Sequence, residues 1–77
     1  MSESNKMTID IIVPCYNEED VLNMFYTELT KVTSAISDYD FKCIFVDDGS
    51  HDNTLTIIRE LATIHDDVKY ISFSRNF

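Results

Sequence analysis

Glycine and proline are nearly missing from this chain: one of each, Gly49 and Pro14, in 77 residues. With one glycine there is no GxxxxGK(S/T) loop, which excludes a P-loop enzyme, and no GxGxxG turn, which disfavours a dinucleotide fold. No G-x-S-x-G elbow and no Ser/His/Asp order suggest a hydrolase triad. Basic residues are also scarce, six against fourteen acidic, for a net charge of -8. No basic patch exists to hold a nucleic-acid backbone, so no nucleic-acid partner is expected. An anionic lipid surface would repel the segment. A ligand carrying phosphates would need a divalent metal, or residues outside the chain, to offset its charge. Cysteine is limited to Cys15 and Cys43, with no CxxC and no zinc spacing. They read as free buried thiols rather than a disulfide. No apolar run approaches the ~20 residues that span a bilayer. The polar start, residues 1–6, lacks the apolar core of a signal peptide. Export is not expected, and the expected compartment is the cytoplasm.

Hydrophobic residues make up 44% of the chain, a globular proportion. The length suits one small domain or part of one, and a domain this size buries only roughly 60% of its unfolded surface. Residues 7–13 form a β-branched run that Pro14 stops, which reads as a strand. It is apolar on both faces except at Asp10, as in a sheet covered by helices on both sides. Asn17 is placed to cap a helix, with Glu18, Glu19 and Asp20 in its first turn. Val21, Leu22, Phe25, Leu29, Val32 and Ile36 follow at steps of three and four, one amphipathic stripe. Residues 41–46 form a second strand. Ser50 or Asp52 is placed to cap a second helix, which carries Leu55, Ile58, Leu61, Ala62 and His65 on one face. Residues 68–73 form a third strand. This β-α-β-α-β pattern predicts an α/β fold: a parallel sheet in the order 3-2-1, half of a Rossmann-like doubly wound sheet. The first strand is then an apolar edge, open to self-association. That composition suits the N-terminal piece of a larger domain.

Two loops leave the carboxyl ends of adjacent strands, the edge where open α/β sheets bind ligands. Pro14-Cys15-Tyr16-Asn17-Glu18 offers an aromatic face, an amide and a carboxylate. Asp47-Asp48-Gly49-Ser50 offers two carboxylates and a tight turn. A nucleobase and ribose suit that set: Tyr16 flanks the ring, and a carboxylate accepts an imide N–H or two hydroxyls. Each residue also has a plainer role. Glu18 would complement a helix dipole, Asp47 and Asp48 would hold turns, Tyr16 would pack, and Pro14 would punctuate the strand. His51 and His65 read as solvated or helix-terminal. The coincidence of both loops at one edge favours the ligand reading.

At these residues the chain resembles the family 2 glycosyltransferases, which have the GT-A fold. The likeness runs through Ile-Ile-Val-Pro-Cys-Tyr-Asn-Glu-Glu (11–19) and Phe-Val-Asp-Asp-Gly-Ser-His-Asp-Asn-Thr (45–54). It ends in Val-Lys-Tyr-Ile-Ser-Phe-Ser-Arg-Asn-Phe (68–77), which is similar to the polyprenyl-phosphate glycosyltransferases of the bactoprenol and dolichol-phosphate type. The resemblance implies a nucleotide-sugar donor, a UDP-sugar first of all, and a lipid-phosphate acceptor. It gives Pro14, Tyr16 and Glu18 to the nucleotide site, makes Asp48 the lead base-binding residue, lets Asp47 share that task or support the loop, and puts Arg75 near the donor. It implies magnesium or manganese in the full-length enzyme. The ligands for that metal, an Asp-x-Asp after the next strand, are absent here, so Asp47-Asp48 is not the metal site. Residues 1–77 are therefore expected to be the N-terminal nucleotide-sugar-binding portion of a GT-A domain, inactive in isolation. The full-length protein is expected at the cytoplasmic face of the membrane. Two alternatives are a receiver-type module, disfavoured because Pro14 stands where that class carries acids, and a non-catalytic remnant that associates through its exposed sheet edge.

Overall fold

The computed structural model describes residues 6–73. Three strands, β1 (Met7–Cys15), β2 (Tyr39–Asp47) and β3 (Val68–Ser72), alternate with two helices, α1 (Leu22–Ser34) and α2 (Thr54–Ile64). The strands pair in parallel in the order β1-β2-β3, which is the predicted 3-2-1 order counted from the other edge.

Alternation along β2 decides what is buried. Cys43, Phe45 and Asp47 point to one face and are buried, while Ile44 and Val46 point to the other and are only partly covered. The core joins Cys43 and Phe45 to Cys15, Val68, Leu22 and Tyr26 of α1, and Ile58 and Leu61 of α2. Both helices therefore pack on one face of the sheet, as two crossovers of one hand stepping in one direction must. The expected two-sided covering is not found among the described residues. The opposite face presents Ile12, 59% exposed, and Ile71, 50% exposed, beside Ile44 and Val46.

Pro14 does not stop β1, which pairs through it to Cys15. Cys15 O points at β2, where it accepts from Asp48 N–H at 3.0 Å. The nitrogen of Pro14 then faces away from β2, where an edge strand needs no donor. The α1 stripe also differs from the expected one. Leu22 and Tyr26 are buried and Leu29 packs against the core, whereas Val21, Phe25, Val32 and Ile36 are exposed. The helix carries two apolar lines, and the one containing Tyr26 meets the sheet. Asn17 does not cap α1. The N-cap is Val21 and the first turn holds no acid, because Glu18 O closes the preceding turn by accepting from Val21 N–H and Leu22 N–H. No helix among the described residues is long and apolar enough to cross a membrane.

Candidate nucleotide crevice

The two carboxyl-end loops lie against each other, and three consecutive backbone N–H groups of the first donate into the second. Asn17 N–H donates to Ser50 Oγ at 2.9 Å, Glu18 N–H to Thr54 Oγ1 at 2.7 Å, and Glu19 N–H to Asp52 Oδ2 at 3.3 Å. Two bonds return: His51 N–H to Asn17 Oδ1 at 2.8 Å and Asn53 N–H to Glu19 Oε1 at 2.9 Å. Orphan donors that would otherwise need water at a loop are thus satisfied across the pair.

Asp47 anchors this clasp from below. It is 2% exposed, and both carboxylate oxygens accept from Ser50, from its N–H at 3.3 Å and its hydroxyl at 2.5 Å. Ser50 Oγ receives the Asn17 N–H and passes its own proton toward Asp47, so one hydroxyl links both loops to the buried acid. Asp52 plays a parallel part beside α2. Burial pushes its carboxyl up, but hydrogen bonds from the Thr54 hydroxyl, Thr54 N–H and Glu19 N–H outweigh that and hold it below 3.8. The helix N-cap is Asn53 rather than Ser50 or Asp52. Asp52 nevertheless reaches the first helical N–H by the two-residue bond typical of an Asx turn.

Beside the clasp lies an open crevice of about 690 Å³. Tyr16, Asp48, Gly49, Ser50 and His51 form one wall, Leu55 and Arg59 of α2 another, with Ser72, Phe73 and Asp47 at the strand ends. Tyr16 is 51% exposed, and its ring meets His51 edge-to-face, centroids 6.3 Å apart and planes at 80°. Gly49 turns the chain at φ 78, open to glycine without a Cβ clash. Asp48 N–H is held by Cys15 O. Among the described residues, Arg59 is the only lysine or arginine in this lining.

Of the residues expected at the site, Tyr16, Asp47 and Asp48 line the crevice. Pro14 sits on the opposite sheet face, and neither it nor Glu18, whose backbone O closes the turn before α1, is in the lining. Arg75 lies outside the described residues. His51 and Arg59 were not expected there. The four-residue step from Leu55 to Arg59 puts both on one line of α2, a signal the sequence carried. Both Asp47 oxygens accept hydrogen bonds from Ser50. Among the described residues, no three His, Cys, Asp or Glu side chains are grouped to hold a metal ion. The two thiols stay protonated: burial first, then the charges of Glu18 and Asp47, push Cys15 up to about 11, and burial and Asp67 do the same to Cys43.

A family model described as glycosyl transferase family 2 matches residues 10–77. The putative glycosyltransferase CsbB of Bacillus subtilis strain 168 is 46% identical over 69 residues, 90% of this chain and 21% of that protein. A prophage bactoprenol glucosyl transferase homolog of Escherichia coli K12 is 37% identical over 71 residues, 92% of this chain and 23% of its own length. The bactoprenol glucosyl transferase of Shigella phage SfX matches over the same proportions. The chain thus spans about a fifth of the length of these curated relatives.

Proposed function

The chain belongs to glycosyltransferase family 2, and from that premise we propose that its crevice binds the nucleoside part of a nucleotide-sugar donor, a UDP-sugar. The observation that carries the reading is that an exposed Tyr16 and an acid, Asp48, line one crevice with the Gly49 turn at the carboxyl edge of a parallel sheet. Tyr16 flanks the base, and Asp48 accepts the imide N–H of uracil or the ribose hydroxyls. Asp47 supports the turn from beneath. Arg59 sets the crevice's cation against the donor's diphosphate, a planar fork suited to phosphate oxygens.

Residues 1–77 are, in this reading, the nucleotide-sugar-binding portion of a longer GT-A domain. The bactoprenol glucosyl transferases among the relatives support a polyprenyl-phosphate acceptor for the whole protein, at the cytoplasmic face of the membrane. Magnesium or manganese would serve the diphosphate there, held by ligands outside this chain. The chain alone is expected to transfer no sugar.

Titrating UDP, GDP and uridine with manganese into ¹⁵N-labelled protein tests the reading. UDP should move the amides of Tyr16, Asp48, Gly49 and His51. No shift with any nucleotide at millimolar concentration would sink it. The open sheet face of Ile12, Ile44, Val46 and Ile71 favours a second reading, an association module. A monomer at every concentration in sedimentation would dismiss that one.

A further inference from the structure

We propose that Asn17 is a positioning residue that holds Tyr16 over the crevice, which rests on the nucleoside reading above only for its consequence in binding. Asn17 is the one non-glycine residue with positive φ among those described, at 54. Asparagine tolerates the left-handed region better than other residues with a Cβ. This backbone is not idle strain at an open loop. Two polar groups of Asn17 are fixed to consecutive residues of the other loop, its N–H donating to Ser50 Oγ at 2.9 Å and its Oδ1 accepting from His51 N–H at 2.8 Å.

The two bonds act on the two halves of one aromatic pair. The first holds the backbone immediately after Tyr16. The second holds the backbone of His51, whose ring meets the Tyr16 ring edge-to-face at 6.3 Å. Tyr16 is half exposed, so the edge contact with His51 and the fixed backbone after it bear on its direction. Asn17 acts on both ends of that arrangement. A flat ring that meets a wall already in place loses less freedom on binding than one that must order the wall, so the lock favours a base on Tyr16.

The test uses the 77-residue chain with labelled tyrosine and histidine. In the ligand-free protein, Asn17→Ala removes the Oδ1 acceptor and disfavours positive φ. It should abolish the Tyr16–His51 ring NOE while the amide spectrum of α2 and β2 stays folded. Asn17→Asp keeps an acceptor and tolerates the left-handed backbone, so it should restore the NOE. Uridine should then bind about tenfold more weakly to the alanine variant and within about twofold of wild type to the aspartate variant. Asn17→Gly decides the matter if the alanine variant does not fold: it keeps positive φ, loses the acceptor, and should lose the NOE. A ring NOE that survives in the alanine or the glycine variant overturns the proposal. If wild type does not bind uridine, the nucleoside reading fails and the ring NOE alone decides the role of Asn17.

Discussion

The clasp and the crevice are neighbours built from the same two loops, and they differ in how far their polar groups are buried. In the clasp, Asn17, Glu19, Asp47, Ser50, Asp52 and Thr54 satisfy one another, and Asp47 and Thr54 are buried. The crevice, bordered by Tyr16, Asp48, His51 and Arg59, also reaches down to Asp47 and Ser50 of the clasp. Asp47 and Asp48 are adjacent in sequence and both reach the crevice lining, yet Asp47 is buried with both oxygens on Ser50 while Asp48 is only partly buried. The difference teaches that an acid pair at a strand end is not one functional unit. Strand alternation sends one carboxylate toward the core, where it builds the turn, and the next into the turn, beside the crevice.

Substitutions at the pair should break the comparison most sharply. Asp47→Ala leaves the Ser50 N–H and hydroxyl without a charged acceptor in a buried place. Hydrogen bonds to charged groups are each worth roughly 1.5–3 kcal/mol, so a loss of about 3 kcal/mol is expected in urea unfolding. Asp48→Ala should instead cost less stability than Asp47→Ala while weakening uridine binding by at least about tenfold in the same titration. Equal stability losses from the two variants would erase the division. Thr54→Val keeps the buried shape but removes the hydroxyl that joins Glu18 N–H to Asp52. It should cost about 1–2 kcal/mol by thermal melting, with uridine affinity unchanged. On the crevice side, Arg59→Gln should weaken UDP binding several-fold and leave uridine binding alone. Calorimetry with both ligands would show whether the cation meets the diphosphate.

The smallest effects concern pH. Asp52 titrates lower folded than unfolded, so its contribution is present above the ordinary carboxylate value and is lost as pH falls through the folded value. The Glu19 and Thr54 amides should report that titration together, below pH 3.8. Cys15 and Cys43 run the other way. Their folded values near 11 lie above the usual 9.0, so the folded state retains protons that the unfolded state gives up. Stability should be full below about pH 9 and fall between 9 and 11. Iodoacetamide at pH 8 should label neither thiol until urea unfolds the chain.

Much of this was legible from the residues. Apolar runs and their punctuation placed three strands and two helices, and the parallel order followed from crossover length. The two loops were rightly brought to one edge. The α1 stripe was misjudged because Phe25 and Tyr26 are both aromatic, and only packing selects the line containing Leu22, Tyr26 and Leu29. Asn17 resembled a helix cap because capping and left-handed turns favour the same side chain. Its actual partners, Ser50 and His51, are more than thirty residues away. Asp47 was readable in principle: it shares alternation with Cys43 and Phe45, both buried. Arg59 was missed because its chemistry depends on where α2 lies beside β3.

The most direct test of the division is the amide shift map of UDP binding, recorded on wild type and on Asp48→Ala. Shifts at Tyr16, Asp48, Gly49 and His51 that vanish in the variant, with the Glu18, Asp47 and Thr54 amides unmoved in both, are the predicted result. Shifts centred on Asp47 and Thr54, or binding undiminished by loss of Asp48, would contradict it.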